Sequence, residues 1–156
     1  MPFSLIAFMR ELDPDGPTRS DPVFDPPRLT PLRKPVREST IGVLTTCGVR
    51  HPSQSPLGTT NDLTFRLIER EWPLTGLVFD HETPVRVWAD EDLNVAYPRD
   101  RLLELEADGT IGCLAPRAVS IVGSITRWTE LMEQTVPAMK QEYDAQGVDL
   151  VLLLPF

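Results

Sequence analysis

The chain has 156 residues, enough for one domain with a real core, and its hydrophobic (41%) and charged (24%) fractions are those of an ordinary globular protein. A net charge of −8 without any basic stripe excludes the phosphate-neutralising footprint of a nucleic-acid binder. No stretch approaches the roughly 20 apolar residues of a membrane span.

Residues 3–9 are apolar, but no basic segment precedes them and Arg10-Glu11-Leu12-Asp13 follows at once, so they are not read as a signal peptide. Cys47 and Cys113 form no CxxC pair, and His51 and His81 are the only histidines. That speaks against a structural zinc site and against a disulfide framework, and the expected compartment is the cytoplasm. Pro14, Pro17, Pro22, Pro26, Pro27, Pro31 and Pro35 remove donors and fix φ. Residues 1–38 are therefore expected to be a proline-rich arm, extended or disordered, ahead of a single α/β domain over 39–156.

Residues 41–46 read as a first buried strand leading into small polar residues and Gly48, and 51–61 as a loop. The stretches 64–70, 74–79 and 119–122 are further strand candidates. Pro98 suits the first turn of a helix over Arg99–Ala107, with Gly109 as its stop. Apolar positions recur at helical spacing from Trp128 to Tyr143, and Pro137 is expected to disrupt that helix locally. Gly147 then hands over to Leu150–Leu154, which reads as a buried strand. Helix-then-strand order predicts a short mixed or mostly parallel sheet with flanking helices.

Chemistry-bearing residues cluster at element ends. Thr45-Thr46-Cys47-Gly48 follows a strand, as an anion-binding turn or a capped turn around a buried thiol. Asn61, Asp62 and Arg66 flank another strand, where Arg66 is suited to clamp a carboxylate or the segment is a solvated turn. His81 stands at a strand end, suited to proton transfer or to a structural role. Asp90-Glu91-Asp92-Leu93-Asn94 reads as capping and turn, with a cation site as the alternative. No Ser-His-Asp order, dinucleotide fingerprint or phosphate loop is present.

Thr45-Thr46 with Gly48-Val49, then Asn61-Asp62-Leu63-Thr64-Phe65-Arg66-Leu67-Ile68, then His81, resembles the selenoprotein B family of glycine, sarcosine, betaine and D-proline reductases. Asp92, Asn94-Val95, Tyr97-Pro98, Arg101-Leu102 and Glu104-Leu105 continue the resemblance, as do Gly109, Ile111-Gly112, Ser120 and Gly123. It runs in order over about residues 40–156. It implies an oxidoreductase that reductively cleaves a C–N bond in a small amino acid or amine, acting with other reductase subunits or thiol-redox proteins and with a disulfide as acceptor. The reactive residue implied is a selenocysteine in a loop after a strand such as Leu150–Leu154, just beyond Phe156.

A selenocysteine codon read as a stop would make these residues the front part of a longer selenoprotein, inactive in reductive cleavage as it stands. The residues the resemblance places around the site are His81 and Cys47 in catalytic roles, with Thr45, Thr46, Asp62, Arg66, Asn94 and Ser120 binding substrate. No metal is expected. Cys47 is a resolving thiol, a self-cleavage position or a buried spectator. Leu57 and Leu63 depart from the family's pattern, so substrate identity is not carried over. A non-catalytic metabolite-binding or accessory paralogue is the alternative. A third reading, a thiol-redox adaptor using Cys47 and Cys113, needs their Cα atoms within about 7 Å. An exposed final strand would suggest that something normally covers it, and a homo-oligomer is among the expected assemblies.

Overall fold

The strand Thr40–Thr45 (β1) is the centre of the main sheet, an apolar, β-branched run buried along most of its length. The computed structural model describes residues 30–83 and 86–156. The chain divides into two compact units, Met1–Pro31 and Leu32–Phe156, and the sheet lies wholly in the second. The proline-rich arm expected over 1–38 falls, for residues 1–29, outside the described residues. In its described part, Val36–Glu38 form a 3-10 turn, with the Glu38 N–H and the Ser39 hydroxyl both donating to the Pro35 carbonyl.

The chain continues through Val49–Arg50 (β2), Arg66–Glu69 (β3), Val78–Phe79 (β4), helix Arg86–Glu91 (α1), helix Arg99–Ala107 (α2), Cys113–Leu114 (β5) and Arg117–Ser120 (β6). A helical run follows, made of Trp128–Glu130 (α3), a π-helical turn Leu131–Thr135 and Val136–Ala145 (α4), and then strand Leu150–Leu154 (β7). Parallel pairing joins β1 to β5 and β6, successively along one edge, and to β7 along the other. β3 adds to β6 antiparallel, and β2 and β4 make a separate antiparallel ribbon. The result is an α/β unit with a mixed sheet, as the sequence predicts.

Alternation along the strands divides the core into two sides. Ala118 of β6 belongs with Val43, Ile68, Tyr97 and Leu102 on the α2 side, whereas its neighbour Val119 packs with Met139 and Tyr143 of α4. Gly42 is required by that second contact. A Cβ there would lie 2.9 Å from Val148 Cγ1 and 3.0 Å from the Tyr143 ring, whose hydroxyl donates to the Val43 carbonyl at 2.8 Å. The π-helical turn stands immediately before Pro137, which has no N–H to donate and whose ring crowds the preceding turn.

Two expectations need correction. The stretch 74–79 is not one strand: Leu74–Gly76 form a 3-10 turn after Pro73, and only Val78–Phe79 pair. Pro73 pre-sets φ and Gly76 ends the turn, and together they override the apolar run. The strand Leu150–Leu154 is parallel, as expected, but it is not buried. It pairs with β1 alone, and Leu153 is 65% exposed. Among the described residues no helix is long and apolar enough to cross a membrane.

Candidate functional site

Parallel strands place ligands beyond their carboxyl ends, and in this sheet that end carries Thr45-Thr46-Cys47-Gly48 of β1 and Ser120 of β6. Thr45 and Ser120 are direct register partners, so their side chains share a face. Both are fully buried. Thr45 Oγ1 donates to the Ala96 carbonyl at 2.8 Å and accepts from the Cys47 N–H at 3.2 Å. Ser120 Oγ, by contrast, is buried with no hydrogen-bond partner among the described residues.

Gly48 turns the chain at φ +70, and a Cβ there would meet Val122 Cγ2 at 3.0 Å and the His81 nitrogen at 3.3 Å. The turn brings β4 alongside: the Asp80 N–H donates to the Gly48 carbonyl and the His81 N–H to the Cys47 carbonyl at 3.2 Å. His81 Nδ1 is another buried polar atom without a hydrogen-bond partner among the described residues. Burial lowers the His81 pKa from its ordinary value, so the ring is neutral at pH 7. Burial pushes the Cys47 thiol up to about 12, with the Arg86 charge opposing that rise and the Asp90 charge adding to it. Cys47 is therefore a thiol, not a thiolate, near neutrality.

Thr46 is tied to the residues at and after the end of β7. Its hydroxyl accepts from the Phe156 N–H at 2.8 Å, and the Phe156 ring meets Phe79 edge-on at a centroid distance of 6.5 Å. The structure thus brings Thr45, Thr46, Cys47, Ser120 and His81 to one end of the sheet. Asn94 lies two residues before Ala96, whose carbonyl Thr45 holds, and its side chain organises a turn. It donates to Asp92 at 2.9 Å and accepts the Asp100 N–H at the start of α2 at 3.1 Å.

Asp62 and Arg66 are engaged by the loop 51–61. The Asp62 carboxylate accepts from the Gly58 N–H and from the N–H and hydroxyl of Thr64. Burial raises its pKa, but the Thr64 and Gly58 hydrogen bonds and the Arg66 charge outweigh that and hold it below the usual value. Arg66 lies opposite Ser120 in the sheet register, yet its guanidinium donates to the carbonyls of Ser55, Pro56 and Phe65 and to the Thr64 hydroxyl.

The dithiol reading fails on topology. Cys113 pairs with Thr40 at the start of β1, whereas Cys47 lies beyond its end. A strand rises about 3.3 Å per residue, so the two sulfurs stand well over 10 Å apart. Both cysteines are free.

A cavity of about 390 Å³ opens beside β4, with Leu77, Phe79, Ala89 and Leu93 as its apolar floor and Arg86, Asp90, Asp92, Asn94 and Asp100 among its polar lining; its Arg86 and Asp90 charges also act on Cys47. Phe79 links it to Phe156 and hence to Thr46. Arg86 escaped the sequence reading, because an arginine opening a short helix carries no signal that separates a pocket wall from a solvated face.

One curated protein is similar over most of the chain: the D-proline reductase subunit gamma of Acetoanaerobium sticklandii, 26% identical over 132 residues, covering 85% of this chain and 54% of that protein. No family model matches the sequence. No solved structure matches it. The chain spans about half the length of the curated relative it matches, and it is a distant homologue of that reductase subunit.

Proposed function

We propose that this chain is a substrate-handling subunit of a dithiol-dependent reductase that cleaves a C–N bond in a small amino acid or amine. The observation that carries the reading is the similarity to a D-proline reductase subunit along 85% of the chain. The site geometry supports it, since two buried polar atoms without partners among the described residues, Ser120 Oγ and His81 Nδ1, stand at the carboxyl end of the sheet. Buried polar groups are normally paired, and an unpaired one at a strand end has capacity for a ligand.

In the proposed reaction the C–N bond breaks with uptake of two electrons and two protons, forming a C–H and an N–H bond. A dithiol supplies both electrons and becomes a disulfide. The neutral His81 ring is placed to move a proton, and Ser120 to hydrogen-bond the bound molecule. Thr45 and Thr46 fix the backbone at the end of β1, Asn94 fixes the turn before α2, and Asp62 and Arg66 fix the loop 51–61. The selenocysteine that the family resemblance implies would follow a strand such as β7. None of the roles assigned to His81, Ser120 and the residues around them depends on it.

The buried, protonated Cys47 favours a second reading, a non-catalytic metabolite-binding or accessory subunit. The test assembles the chain with the other subunits of its reductase and follows dithiothreitol-dependent loss of D-proline, glycine, sarcosine and betaine. Omission of this chain abolishes turnover under the first reading. Turnover that persists without it, together with retained amino-acid binding by the isolated chain, leaves the accessory reading.

A further inference from the structure

Arg66 is the arginine that the sequence offers as a carboxylate clamp, but its Nε, Nη1 and Nη2 already donate to loop carbonyls and to Thr64. Arg86 is placed differently. It lines the cavity, and its guanidinium lies over the Phe79 ring at 4.5 Å from the centroid. Its only ion pair among the described residues is with Asp90, Nε to Oδ2 at 3.5 Å, between side chains 43% and 53% exposed. A pair so long and so exposed holds weakly. Neither terminal Nη group has a partner among the described residues. The stacked ring restrains the guanidinium plane while leaving its two-pronged edge open, which is the arrangement that binds a carboxylate bidentately.

The opposite charge is supplied one turn along the same helix. Asp90 lines the same cavity, and so does Asp92, whose Oδ1 is used by Asn94 while its second oxygen carries no bond among the described residues. An α-amino acid presents a carboxylate and an ammonium on adjacent atoms. Entering between Arg86 and Asp90, it replaces one loose ion pair by two and leaves the net charge of the wall unchanged. A carboxylate-free amine or an amine-free acid satisfies one side and strands the other. The apolar floor of Leu77, Phe79 and Leu93 suits a short aliphatic or ring side chain, and 390 Å³ is at the small end of ligand cavities.

We infer that Arg86 is the carboxylate anchor of this cavity and that its ligand is a small α-amino acid bound as the zwitterion, with Asp90 and Asp92 facing the ammonium. The inference rests on the proposed substrate-handling role and assigns the residues of this chain that hold the ligand's two charged groups.

Calorimetric titration of the full chain with glycine, D-proline, L-proline, pyrrolidine and acetate tests it. At least one amino acid is expected to bind ten-fold or more tighter than pyrrolidine and acetate. Arg86→Gln is expected to lose at least ten-fold of that affinity, and Arg86→Lys, which keeps the charge but not the fork, to recover part. The Arg86 Nε–Hε signal in a ¹⁵N spectrum of the unaltered protein is expected to shift on saturation, a readout that does not depend on a variant folding.

An amino acid that binds wild type and Arg86→Gln equally, or saturates without moving that signal, overturns the anchor and leaves the reductase-subunit reading standing. Pyrrolidine binding as tightly as proline overturns the zwitterion. Binding of none of the five probes overturns the substrate-handling reading and the anchor with it.

Discussion

The hydroxyl of Thr46, just past the end of β1, accepts a hydrogen bond from the Phe156 N–H at 2.8 Å, while the Thr46 N–H donates to the Leu154 carbonyl at 3.1 Å. The residue that opens the candidate site therefore also fastens the end of the edge strand β7. Thr46→Val keeps the shape and removes the acceptor. It is expected to cost about 1 kcal/mol, as a part-buried hydrogen bond does, and Thr46→Ser to restore most of it. Urea unfolding measures the difference, and faster amide exchange at Phe156 in the valine variant assigns it to this bond.

Thr45 and Ser120 are paired in register and both buried, yet opposite outcomes are expected. Thr45→Val strips a partner from the Ala96 carbonyl and the Cys47 N–H, costing roughly 1–3 kcal/mol in chemical denaturation. Ser120→Ala removes a hydroxyl that has no partner among the described residues, so stability is expected to hold or rise slightly. Its ligand affinity, followed by titration, is expected to fall. Unchanged affinity would place Ser120 outside the site.

His81 has a folded-state pKa below its ordinary value of 6.5, because burial disfavours the charged ring. Between that lowered pKa and 6.5 the unfolded chain binds the proton better. The stabilising effect of the neutral ring is therefore complete above about pH 6.5 and is lost as pH falls through the folded pKa. The urea midpoint is expected to drop between pH 7.5 and pH 5.5 by more in wild type than in His81→Gln. Equal drops would show that His81 does not titrate on unfolding.

Cys47 is fully buried with its thiol pushed up to about 12, while Cys113 is half-buried at the other end of β1. Near pH 7.5, a thiol reagent is expected to label Cys113 first and Cys47 only after denaturation, read by peptide mass. Rapid labelling of native Cys47 would revive its role as a reactive thiol.

Arg66→Ala is expected to lower the thermal unfolding midpoint, since it leaves the carbonyls of Ser55, Pro56 and Phe65 without that donor. The loop 51–61 loses a staple and becomes more open to proteolysis. A variant with wild-type stability but lost amino-acid binding would return the carboxylate-clamp role to Arg66.

Local pattern determined much of this molecule. The apolar run ending in Thr45, the Pro98-to-Gly109 punctuation around Arg99–Ala107, and the turn at Gly147 before Leu150 are each set by short-range preferences, so β1, α2 and β7 were legible in the sequence. The gathering of Thr45, Cys47, His81 and Ser120 was legible only as a set of element ends. Their closeness follows from β6 and β4 both joining the turn after β1. What tertiary structure alone decided is which groups are free. The leucines of β7 have the same composition in an edge strand as in a central one, so burial depended on how many strands pair with it. Arg66 and Arg86 have the same side chain, and only the surroundings made one a staple and left the other with an open guanidinium edge. A hydrogen bond is satisfied by whichever atom lies within about 3 Å, and that neighbour is supplied by the fold, not by the adjacent residues.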